Sequence, residues 1–146
     1  MRRETLTALT RVRRLACDRA QQTLAACAKA EARALEDLRQ AERVIVGERE
    51  AVAKVPFGNG LAEAFAAWLP EAHRTVAQAR GRHAQAAAAT AQARTSLNAA
   101  RIGVEVVDSL TAQFEDEEKK REEKRAQMEL HELISRPLQS SHSRRF

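Results

Sequence analysis

Apolar and small residues recur in alternating steps of three and four from the middle of the chain almost to its end. The series is Leu69, Ala72, Val76, Ala79, His83, Ala86, Thr90, Ala93, Leu97, Ala100, Val104, Val107, Thr111 and Phe114. It keeps its spacing through Glu118, Arg121, Arg125 and Met128. Such a spacing averages about 3.5 residues per turn, slightly fewer than a straight helix holds, so two helices keep the seam together only by winding left-handedly about each other. Alanine and threonine dominate the seam as far as Leu97, which lets a partner approach closely. No proline interrupts Glu71 to Arg136, and the glycines there are Gly81 and Gly103. The pattern predicts one long helix that needs a partner.

A first helix is expected over 2–54. Its stripe begins Leu6, Leu9, Val12, Ala16 and Ala20. It continues Leu24, Cys27, Glu31, Leu35, Leu38, Glu42, Ile45, Arg49 and Val52, with one register shift near Ala20 to Leu24. Thr5 or Thr7 is the candidate cap, while Arg2 and Arg3 sit badly against the positive end of the helix dipole. Val55-Pro56-Phe57-Gly58-Asn59-Gly60 is a strong breaker, since proline removes a donor and glycine accepts positive φ. Leu61 to Leu69 reads as a short apolar helical piece containing Trp68, the single tryptophan, as a plug at the tip. Pro70 then suits the first turn of a new helix over 71–135.

These elements predict an all-α chain: a long antiparallel two-stranded coiled-coil hairpin over 1–136, with its tip at 55–70 and a disordered tail at 137–146. A turn centred near Ala62 places Leu24 against the Arg101 region, Leu38 against Ala87 and Val52 against His73. Large residues of the first helix then fill space left by the alanines of the second. Arginines 2, 3, 11, 13 and 14 fall opposite Glu115-Asp116-Glu117-Glu118, and beyond about residue 122 the second helix has no cover.

Composition sharpens this picture. Of 146 residues, 31% are charged and only 3% aromatic, so a thick globular core is out of reach. Cys17 and Cys27 lie ten residues apart, about 15 Å along one helix, too far to form a disulfide. Both are expected to pack as small apolar residues in a reducing compartment. The net charge is +5, but the basic residues are spread among 20 acids without interleaved aromatics, which argues against nucleic acid. No apolar run is long enough to span a membrane. His73, His83, His131 and His142 show no ligand spacing, and no nucleophile or phosphate loop is present. The chain is expected to be no enzyme and to need no cofactor or metal.

Phe57-Gly58-Asn59-Gly60-Leu61-Ala62, leading after Trp68 into Pro70 to His83, resembles the hairpin tip of flagellar FliJ proteins. The charged run from Lys120 to Leu133 is similar to that family's C-terminal helix, and so is the opening Glu4-Thr5-Leu6. His131-Glu132 stands where the family often has an Asp-Glu pair. The resemblance covers most of the chain. It implies a stalk of bacterial type III secretion, flagellar rather than injectisome (the related YscO family), that enters a hexameric export ATPase by its open end. It also implies contact with the membrane-embedded export gate, binding of export chaperones, and a cytoplasmic location, peripheral at the inner membrane. By position the gate contact falls on Leu38, Glu42, Ile45, Arg49, Ala72, Val76, Ala79 and His83, and the ring contact on Arg121, Arg125, Met128, Glu132 and Leu133. The rival readings are a generic chaperone or adaptor hairpin and a basic nucleic-acid-binding coiled coil.

Overall fold

The computed structural model describes residues 2–56 and 58–136. They form two long α-helices, α1 (Arg3–Ala53, 51 residues) and α2 (Leu61–Ser135, 75 residues), with no strand among the described residues. At 1.5 Å per residue the helices are about 75 Å and 110 Å long. The expected tail at 137–146 lies outside the described residues, as does Phe57 of the tip.

Neither threonine caps α1. Arg2 occupies the N-cap in an extended conformation and offers no side-chain bond. The Thr7 hydroxyl instead donates to the Arg3 carbonyl (3.0 Å), and Thr10 donates to Leu6 (2.8 Å). Threonine inside a helix commonly bonds the preceding turn in this way, which leaves nothing for a cap. Glu4 in the first turn offsets part of the basic character there.

The turn between the helices coincides with the breaker and is shorter than the tip expected over 55–70. Lys54 closes α1 with its N–H on the Ala51 carbonyl (3.3 Å). Gly58 (φ 99°) and Gly60 (φ 78°) then reverse the chain. The Asn59 Oδ1 accepts from the Leu61 N–H (3.2 Å), and the Gly60 carbonyl accepts from Ala64 (3.1 Å), so helix begins at once. α2 therefore starts ten residues before the expected Glu71, and the expected tip over 55–70 contracts to 54–60. Pro70 lies inside the helix. It has no N–H for the Ala66 carbonyl, but Trp68, Leu69 and Ala72 beside it pack against α1, and that packing outweighs one lost bond. Gly60→Ala forces a methyl group into a left-handed conformation. The expected loss is about 1 kcal/mol, read as a lower urea midpoint.

Contacts along the pair show how the helices lie. Arg3 meets Glu118 (2.6 Å), Arg14 meets Asp108 (3.5 Å) and Glu42 meets Arg80 (3.7 Å). As position rises along α1, its contact falls along α2, over nearly the whole of α1. Near the turn, Ile45, Ala72 and Val76 form a buried cluster with Leu38, Ala41, Trp68 and Leu69 around it. Val52 lies beside Leu61, Phe65 and Trp68, not His73. The expected facing positions are thus displaced by about one helical turn. The cause is the turn itself, which sits between Lys54 and Gly60 rather than around Ala62.

The α2 seam follows its sequence pattern without exception as far as cover extends. Every position of the series from Leu69 to Glu118 is buried or half-buried. Val107 and Thr90 are the most enclosed, at 2% and 1% exposure. The Thr90 hydroxyl is satisfied by the Ala86 carbonyl (3.1 Å), so a polar side chain sits in the seam without an open hydrogen bond.

On α1 the expected register shift does not occur. The three-four series runs Leu6, Thr10, Cys17, Ala20, Leu24, Cys27, Glu31, Ala34, Leu38, Ala41, Ile45 and Val52, all covered, and Leu9 and Leu35, also expected in the stripe, are half-buried beside it. Arg13 occupies the gap in the series; the residue is exposed, but its side chain lies across Gly103. Val12 and Ala16, expected in the seam, are exposed, and so are Glu42 and Arg49. The unbroken three-four spacing places Thr10, Arg13, Cys17 and Ala41 inward, and spacing overrides hydrophobicity because a shift would break the seam on both sides of it.

Candidate functional site

Cover ends sharply. Glu118 is half-buried and paired to Arg3, and every residue from Lys119 to Arg136 is exposed. The helix continues through Ser135 all the same, so about 25 Å of α2 projects past the beginning of α1. It carries five basic residues and four acids, with Arg136 just beyond it, and the local ion pair Lys120 to Asp116 (3.2 Å) stands at its root. Met128, Leu130, Leu133 and Ile134 are 59–75% exposed. Leu130, Leu133 and Ile134 stand three and four apart, so they share one face of the projecting helix.

All five residues expected to meet a ring, Arg121, Arg125, Met128, Glu132 and Leu133, lie on this projection and are open to solvent. Cover is lost about one turn earlier than the sequence suggested, by the same displacement that moves every facing pair.

The residues expected to meet an export gate divide differently. Ile45, Ala72, Val76 and Ala79 are buried between α1 and α2 and are spent on holding the helices together. Leu38 and His83 are half-buried. Glu42 and Arg49 are exposed, and Glu42 is paired with Arg80. A partner on the tip-proximal half can therefore touch Glu42, Arg49 and the edges of Leu38 and His83 while the helices stay together.

At the turn, Trp68 packs on the Ile45 cluster, and its ring lies 5.7 Å from that of Phe65, tilted by 43°. A shallow groove beside it is lined by Ala41, Val44, Glu71, Ala72 and Thr75. No group of three or more His, Cys, Asp or Glu among the described residues is placed to hold a metal ion, and no helix there is long and apolar enough to cross a membrane. Cys17 and Cys27 are free and half-buried on the α1 seam.

Comparison with protein-family models, curated proteins and solved structures finds no match to this chain. The site must be judged on its geometry. That geometry is a thin rod with a long mixed-charge projection at one end and an aromatic-buttressed turn at the other. Sequence reading missed the flank of the rod described below, because the assumed shift in α1 put Val12 and Ala16 inside. The signal was present in the uninterrupted spacing from Thr10 to Ala20.

Proposed function

We propose that this chain is an antiparallel two-stranded coiled coil, left-handedly wound, that serves as the central stalk of a bacterial flagellar type III export apparatus. In this role the projecting end of α2 enters the pore of the hexameric export ATPase, and the turn points towards the export gate at the inner membrane. The observation that carries this reading is the projection itself, a continuous helix beyond Glu118 with no cover from α1. The resemblance of the tip and of the Lys120–Leu133 run to FliJ proteins supports it. The rod offers no phosphate loop, so its influence on ATP turnover comes from binding one state of the ring more tightly than another. Exposed charges of both signs suit this, because each such contact is worth roughly 0–1 kcal/mol and exchanges readily. Export chaperones are the further partners implied, with Glu42, Arg49, Leu38 and His83 as the gate-side surface. The injectisome stalk is the same proposal in a related machine.

The test is hydrolysis of ATP by the purified export ATPase with the full chain and with a chain ending at Lys119. The full chain is expected to stimulate turnover and the shortened chain to lose that stimulation, while far-UV circular dichroism shows the covered helices intact. Equal stimulation by both rejects the reading.

A further inference from the structure

The two flanks of the rod differ. One flank consists of residues that immediately follow the seam positions Arg13, Ala41, Ala79 and Val107. These are Arg14, Glu42, Arg80 and Asp108, and they form two of the ion pairs that cross between the helices. The opposite flank includes the residues that immediately precede Thr10, Cys17, Ile45, Leu69, Val104 and Thr111, namely Leu9, Ala16, Val44, Trp68, Gly103 and Leu110. Asp37, Arg82 and Glu117 precede Leu38, His83 and Glu118 on the same flank, so its uncharged stretch at the open end spans 9–30 of α1 and 89–110 of α2. One step further out, Val12 adjoins Leu9 and Ala16, and Val106 adjoins Gly103 and Leu110. Val12 is 61% exposed, Val106 52% and Val44 41%. Leu15 and Ile102 border the same region and are about half exposed or more. Gly103 has no side chain of its own, and the Arg13 side chain lies over it, with its Cδ 3.4 Å and its guanidinium Nη1 3.6 Å from where a Cβ would be, so one guanidinium sits between the two apolar groups.

Charge at this end is distributed across the width of the rod. Residues 2–19 of α1 carry six arginines and two acids, while residues 102–119 of α2 carry six acids and one lysine. Within the chain, Arg3 to Glu118 and Arg14 to Asp108 are the pairs that join them among the described residues. Asp116 pairs with Lys120, so four arginines and three of the six acids are in no ion pair among the described residues.

We propose that the open-end stretch of this flank, over 9–30 and 89–110, is the docking surface for a second copy of the chain. The two rods lie side by side and point the same way, related by a two-fold axis along their length. That arrangement preserves level. It sets Val12 and Leu9 of one copy against Val106 and Leu110 of the other, and it sets the basic start of α1 beside the acids at 115–117 of its neighbour. Rods pointing opposite ways would bring the basic end of α1 beside the turn instead, where Glu48, Glu50 and Glu63 are mixed with Arg49 and Lys54 and offer less net negative charge than 102–119 of α2. The charges therefore choose the parallel arrangement, and the apolar flank supplies the contact. The inference stands on this surface alone and does not depend on the stalk reading.

Sedimentation equilibrium of the full chain, from micromolar to hundreds of micromolar, tests it. A reversible monomer–dimer equilibrium is expected. Val106→Glu should weaken it about tenfold or more, with unchanged helicity by circular dichroism, whereas Arg94→Glu on the charged flank should leave it unaltered. Arg2→Glu and Glu117→Arg test orientation. Each alone weakens the dimer, and an equimolar mixture of the two recovers it as a mixed pair, because each then offers what the other lacks. A monomer throughout the range overturns the proposal. So does a dimer indifferent to Val106→Glu, or two charge variants that fail to recover on mixing. A monomer that instead co-sediments with anionic phospholipid vesicles gives this flank to a membrane and overturns it as well.

Discussion

Leu97→Ala is expected to cost about 3 kcal/mol of unfolding free energy, within the range typical of buried leucines. Leu97 is 4% exposed and is the first large side chain of the α2 seam after a run of alanines and threonines. It sits at the level of Ala20, since Ala20 and Ser96 border one groove. Small neighbours cannot move in to fill the space it leaves, because the backbones on both sides are already held close by alanine. Urea unfolding followed by circular dichroism should show a lower midpoint and little change in slope. The matching control is the combined replacement of Met128, Leu133 and Ile134 by alanine. Those three are at least as apolar in sum, but they are exposed, so the midpoint should move by no more than roughly 0.5 kcal/mol equivalent. A large loss from the control would mean that the projection is packed in solution.

Ala93→Leu is the converse and is expected to destabilise by about 1–3 kcal/mol through overpacking. Ala93 is 6% exposed and shares a groove with Thr23 and Cys27 of α1. The added isopropyl group meets the Cys27 region directly and pushes the helices apart locally. Cys27→Ala in the same chain removes a sulfur from that space and should recover part of the loss. A coupling of about 1 kcal/mol in the double-mutant cycle is expected for side chains in contact. Strict additivity would place the two residues out of contact.

The α2 seam could be read from sequence because its spacing is regular and its residues are small. Each of Leu69 to Glu118 is where the three-four rule puts it. The α1 seam was harder. Val12 is more hydrophobic than Arg13, and a reading that follows hydrophobicity takes Val12 inward and must then invent a shift near Ala20. The structure keeps the spacing and lets a long arginine stem lie in the seam opposite a glycine, a solution that hydrophobicity alone does not suggest. The turn was misjudged for a different reason. Pro70 is a strong local signal for a helix start, but Asn59 and Gly60 start the helix earlier, and the packing of Trp68 and Leu69 carries it through the proline. An error of a few residues at the turn then displaced every facing pair, because a hairpin has one pivot. The uncovered end of α2 was foreseen since it depends mainly on the difference in length between the helices.

The contact of Arg3 with Glu118 puts the start of α1 beside α2 at the end remote from the turn, and each level of the seam touches only its neighbours. The rod therefore answers a pull according to its direction. Force that separates α1 from α2 at the open end loads one level at a time, and the pair peels like a zip at low force, stopping wherever the load stops. Force applied along the axis, between the turn and the projecting end, runs instead through the backbone of α2, which spans both points. The rungs to α1 then carry no load, and the pull is borne by the α2 helix itself.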